Sequence, residues 1–154
     1  IWTAYRAQLT ALLISFIVAG MFWFSHQRRL AYQPYATRLV VYLNLLFLLA
    51  IILLPVTTGL FGTYPDARDI IVLYSCHLTA LAGLSSILWL LAGLPRGEPI
   101  VAIPMIFATI AFALSIVCAL ILPQTAIPQL IWYFGFATPV IDRVLEGRRR
   151  KQAI

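Results

Sequence analysis

Long apolar runs separated by short polar stretches dominate the chain. Five runs approach the roughly 20 apolar residues that a helix needs to cross a bilayer. They cover about 9–26, 39–61, 70–94, 100–122 and 127–145, and the last is weakened by Asp142 and Arg143 near its end. None alternates apolar and polar residues with the period of two that a membrane barrel requires. The connections at 27–38, 62–69, 95–99 and 123–126 are short, so consecutive helices run antiparallel. The predicted fold class is all-α: a polytopic transmembrane helix bundle, one domain over residues 1–154 with a basic tail at 146–154.

Composition sharpens this picture. Of the 154 residues, 62% are hydrophobic and 10% charged, against about a quarter charged in a soluble domain. The mean hydropathy is +0.95. A water-soluble fold of this size could not hide so much apolar surface. The net charge of +6 could suggest nucleic acid, but its placement follows membrane topology. Arg28, Arg29, Arg38, Arg96, Arg143 and the cluster Arg148, Arg149, Arg150, Lys151 fall on one side of the predicted bundle; Arg6 and Arg68 fall on the other. Basic loops face the cytoplasm, which places the C-terminus there in a multi-pass cell-membrane protein. The cluster at 148–151 suits anionic lipid headgroups better than nucleic acid. Five spans with a cytoplasmic C-terminus put residue 1 outside. With no initiator Met and no signal peptide, the expectation is a native protein of six spans whose first is absent from this chain.

Polar residues inside the runs are the candidates for chemistry. His26 ends the first run after Met21-Phe22-Trp23-Phe24-Ser25. It can belong to a polar network or to an interfacial belt of amphipathic rings, and the residues alone favour the belt. Asn44 lies one or two turns inside the second run and needs partners in hydrocarbon; helix-to-helix bonding and a site role are equally good readings. His77 follows Cys76 in the third run, but adjacent helical residues point about 100° apart and do not readily share a metal. A neutral His77 bonded to a neighbouring helix is the favoured reading. Ser75, Thr79 and Gly83 recur every fourth residue, a small-residue face suited to helix packing. Thr57, Thr58 and Thr109 could line a polar path or simply bond their own helices. Pro55, Pro104 and Pro139 are possible kinks. Cys76 and Cys118 form no disulfide framework.

The absences narrow the function. No span carries arginines at every third position, no TVGYG-type filter occurs, and there is no Walker loop, HExxH or GxSxG. No paired carboxylates sit at the span centres. A catalytic residue or metal site is therefore not expected, nor an enzyme. A simple pore or a structural role survives best, with a small-solute carrier or a non-transporting scaffold subunit as alternatives.

The segments Phe22-Trp23-Phe24-Ser25-His26, Leu43-Asn44-Leu45-Leu46-Phe47-Leu48 and Leu54-Pro55 resemble those of bacterial members of the transmembrane protein 175 family of potassium channels. Phe61-Gly62-Thr63-Tyr64-Pro65 is similar to the family's outer loop. The resemblance lies mainly in residues 12–66. It implies a homotetrameric potassium channel of a bacterial inner membrane, with potassium as permeant ion and no cofactor. It also implies that an Arg-x-x-x-Phe-Ser-Asp helix lines the pore, and that Trp23, His26 and Asn44 form the polar network that supports it. Gln27 departs from the pattern, standing where a second His is usual.

Overall fold

The computed structural model describes residues 2–33, 37–122 and 126–136. Among the described residues five α-helices make up the bundle: α1 (Trp2–Tyr32), α2 (Arg38–Thr63), α3 (Arg68–Gly93), α4 (Ile103–Ile121) and α5 (Ile127–Gly135). Two short 3₁₀ turns, Leu94–Arg96 and Pro99–Ala102, join α3 to α4. Among the described residues, four helical stretches are long and apolar enough to cross a membrane: Gln8–Tyr32, Arg38–Thr63, Arg68–Arg96 and Pro99–Ile121. They correspond to the first four predicted spans. Of the fifth, residues 127–135 form α5; residues 137–145 and the basic tail lie outside the described residues, and with them Pro139, Asp142, Arg143 and Arg148–Lys151.

One predicted boundary moves substantially. The stretch 27–38 reads as a loop in the sequence, yet α1 continues through Gln27, Arg28 and Arg29 to Tyr32. Arginine and glutamine are good helix formers, so polarity alone does not end a helix. The stop comes at Gln33, which precedes Pro34 in the sequence, where the proline ring disfavours α geometry in the residue before it. Thr37 then caps α2 by accepting from the Val40 amide.

Helix α3 is the hub. It packs against α1, α2 and α4, while α5 packs on α4. Its buried face includes Leu78, Leu81, Ala82, Leu88 and Ala92, all fully enclosed. Helix α1 buries a narrow stripe of Ala11, Ser15, Val18, Phe22, His26 and Arg29, spaced three or four residues apart, as one face of a helix demands. Helix α2 does the same with Val40, Phe47, Leu54 and Thr58. The rest of both helices presents large apolar side chains outward, among them Phe16, Phe24, Tyr42 and Ile52.

The prolines act differently from one another. Pro104 lies in the first turn of α4, where no intrahelical donor is lost, so it starts a helix rather than kinking one. Pro55 lies inside α2 and leaves the Ile51 carbonyl without its usual partner. In the adjoining turn His77 Nε2 donates to the Ala50 carbonyl (2.9 Å), and His77 Nδ1 bonds the Thr57 hydroxyl (2.7 Å). His77 thus ties α3 to the proline-bearing part of α2.

Candidate functional site: a buried arginine network

Trp23, His26 and Arg29 follow one another at three-residue spacing along α1, so they climb one side of the helix. The His26 ring is sandwiched. Trp23 stacks on it at 5.5 Å between centroids and Phe47 of α2 at 5.2 Å. Phe22 meets Phe47 edge-on at 6.5 Å. His26 is 4% exposed and Arg29 only 1%, whereas Trp23 is 46% exposed. The Trp23 ring therefore closes the stack from outside the bundle.

Arg29 organises the polar atoms. Its Nη2 approaches His26 Nδ1 at 2.5 Å and donates to Asn44 Oδ1 at 2.5 Å. A guanidinium has donors and no acceptor, so His26 Nδ1 must offer a lone pair and the ring proton must sit on Nε2. Both hydrogens of Nη2 are thereby used. Nη1 is buried and has no hydrogen-bond partner among the described residues. Removing a guanidinium from water costs several kcal/mol unless its donors and charge are matched. His26 and Asn44 satisfy half of the fork's outer donors, and neither carries a negative charge to match it.

Neighbouring contacts fix this end of α1 against α3. Trp89 donates from Nε1 to Ser25 Oγ at 3.0 Å. One turn past Arg29, the Tyr32 ring lies 6.0 Å from the Trp89 ring and beneath the Arg96 guanidinium at 4.3 Å. The Tyr32 hydroxyl donates to Glu98. The turn carrying Arg96 and Glu98 is tight. Gly97 has φ +69°, a left-handed geometry that favours glycine. A Cβ on Gly93 would lie 2.6 Å from the Glu98 carbonyl oxygen.

The structure brings Trp23, His26 and Asn44 together, and the residue that joins them is one the sequence reading assigned only to topology. Arg29 looks like a basic loop residue when charge is counted. Two signals mark it otherwise: its three-residue spacing from His26, and its place as the next member of the buried α1 stripe.

Ser75, Thr79 and Gly83 share the face of α3 that meets α4 and α5. Ser75 is fully buried and its hydroxyl accepts from Trp132 Nε1 at 3.1 Å, a donor shared with Ser115 at 3.1 Å. Thr79 donates to the Ser75 carbonyl. A methyl added at Gly83 would sit 3.8 Å from Thr109 Cγ2, an ordinary contact. A much tighter approach lies elsewhere, at Gly135, where a Cβ would come within 2.5 Å of the Phe112 ring. The threonines bond their own backbones: Thr57 and Thr58 to the Leu54 carbonyl, and Thr109 to that of Met105.

Neither the curated proteins nor the solved structures contain a match to this chain. Residues 1–55, which hold α1 and α2 as far as Pro55 together with all four members of the arginine network, match the family model described as the endosomal/lysosomal potassium channel TMEM175, and over that stretch the chain is similar to that potassium-channel family.

Proposed function

We propose that this chain is a subunit of a potassium-permeable channel without a voltage sensor or a TVGYG-type filter. In this reading α1 and α2 are the scaffold that seats a pore-lining helix supplied from outside the described residues. The observation that carries the proposal is Arg29: a buried guanidinium whose Nη1 lacks a partner among the described residues, placed within the segment that matches the channel family. An acceptor on a further helix, an acidic one above all, completes such a site. Trp23, His26 and Asn44 then hold the guanidinium in place and support the pore rather than line it.

The outer surfaces of α1 and α2 favour the same reading. Within the bundle, 17% of the most apolar stretch of α2 and 28% of that of α1 are buried, against 44% for α3. These are the two helices with most room for further helices or other subunits, and we assign the assembly as a homotetramer. In the same reading, which rests on the distribution of Lys and Arg along the sequence, the C-terminal tail faces the cytoplasm and Arg148, Arg149, Arg150 and Lys151 meet anionic lipid headgroups.

Flux through liposomes containing the purified full-length protein tests the proposal. Potassium should pass in preference to sodium. Equal passage of both ions, or of neither, overturns it.

A further inference from the structure

A half-enclosed cavity of about 410 Å³ lies between α1, α2, α3 and α5, at the end of the bundle that carries the turn 64–67. Its size falls within the roughly 300–1,000 Å³ of small-molecule sites. Its walls are graded. Thr10, Gly62 and Gln129 line it near the helix ends, whereas Ile14, Val18 and Phe136 line it farther in. Val18 lies eight residues along α1 from Thr10, a depth of about 12 Å at the helical rise. Between these levels the wall is aromatic. Phe61, Tyr74 and Trp132 pack on one another with centroids 4.9–5.5 Å apart.

The polar groups in the wall are mostly committed. Thr10 donates to the Arg6 carbonyl at 2.8 Å and Thr58 to that of Leu54 at 2.9 Å. Tyr74 bonds Thr58. The Trp132 N–H is shared by Ser75 and Ser115. Gln129 is different: its buried Oε1 has no hydrogen-bond partner among the described residues. A buried amide oxygen left unpaired is destabilising.

The geometry points to a binding site for a membrane-dissolved amphiphile: a single apolar tail lying inward along Ile14 and Val18, with a small uncharged head, a hydroxyl, bonded to the Gln129 amide. A hydroxyl both donates and accepts, so it suits the amide in either orientation. A charged head is disfavoured, because no ionisable side chain of opposite sign is among the described residues that line the cavity. This site is separate from the arginine network and does not depend on the channel reading.

Tryptophan fluorescence of the full-length protein in nanodiscs tests it, because Trp132 lines the cavity. The probes are a brominated long-chain alcohol and the brominated alkane of the same length, each titrated as mole fraction in the lipid. Quenching by the alcohol should saturate over a linear background from Trp23, which is exposed at the far end of α1. Gln129→Leu should weaken the alcohol about fivefold, the value of one ordinary hydrogen bond, and leave the alkane unchanged. Ala11→Phe, which fills the cavity beside Gly62, should abolish the saturable part for both probes. Quenching that stays linear overturns the proposal, and is what a helix of a neighbouring subunit seated in the cavity would give. An unchanged alcohol affinity in Gln129→Leu overturns it too.

Discussion

The coupling between Arg29 and Asn44 can be measured directly. Asn44→Leu removes the acceptor 2.5 Å from Arg29 Nη2 and strands one N–H of a guanidinium that is 1% exposed. A hydrogen bond to a charged group contributes about 1.5–3 kcal/mol, so this single change should cost about 2 kcal/mol. Arg29→Met removes the buried charge while keeping apolar bulk. The gain in solvation offsets the loss of two hydrogen bonds, and the net change should be small. In the Arg29→Met background, Asn44→Leu no longer strands a charge and removes an amide that has lost its donor, so its cost should vanish. The coupling energy is then about 2 kcal/mol, roughly a 30-fold change in the unfolding equilibrium. Neutral hydrogen bonds between membrane helices average only about 0.6 kcal/mol, so a charged pair should stand clear of that level. Reversible unfolding in mixed micelles, followed by circular dichroism for the four chains of the cycle, supplies the numbers. Effects that add within about 0.5 kcal/mol would refute a shared, desolvated Arg29–Asn44 bond.

His26→Ala should lower the fraction of assembled, active protein and leave ion selectivity unchanged; assembly by size-exclusion chromatography and bi-ionic potentials in liposomes separate the two. Gly135→Ala forces a methyl within 2.5 Å of the fully buried Phe112 ring, and overpacking of that kind should destabilise by about 1–3 kcal/mol in thermal melts. Gly83→Ala is its counterpart: the added methyl meets only an ordinary contact at 3.8 Å, so the gain in helix propensity, up to about 1 kcal/mol, should leave the melting temperature unchanged or raised. Trp132→Phe keeps most of the ring but removes the N–H shared by Ser75 and Ser115, and a loss of about 1 kcal/mol should appear in the same melts.

Four spans could be read from the sequence because sustained apolar length is what a bilayer demands, and no other solvent tolerates Leu39–Phe61 as a run. The ends of α1 were harder. Charge at Arg28 and Arg29 suggests a loop only if charged residues are assumed to face water, and Arg29 does not. Its burial depends on Asn44, which reaches it from α2, and on a neutral His26 one turn back. No count of basic residues carries that information, although the spacing 22, 26, 29 along the buried stripe does. Pro104 illustrates a second limit. A proline in an apolar run can kink a helix or begin one, and the outcome depends on where the 3₁₀ turn Pro99–Ala102 hands over to α4. The meeting of Trp23, His26 and Asn44 was accessible through family resemblance rather than physics, because two of these residues lie on α1 and one on α2.

The His77 contacts also bear on how the bundle is assembled. A helix entering lipid must satisfy its own backbone, and α2 cannot do so completely around Pro55. The reinforcement comes from the next helix, whose imidazole reaches the Ala50 carbonyl and the Thr57 hydroxyl in the weakened region. Insertion and docking are therefore not independent for this pair. Helix α2 reaches its most stable form only once α3 lies beside it, so the two behave as a hairpin that matures as one unit. Delay in the arrival of α3 leaves α2 free to bend at its proline, and a protein that misassembles should fail first at this joint.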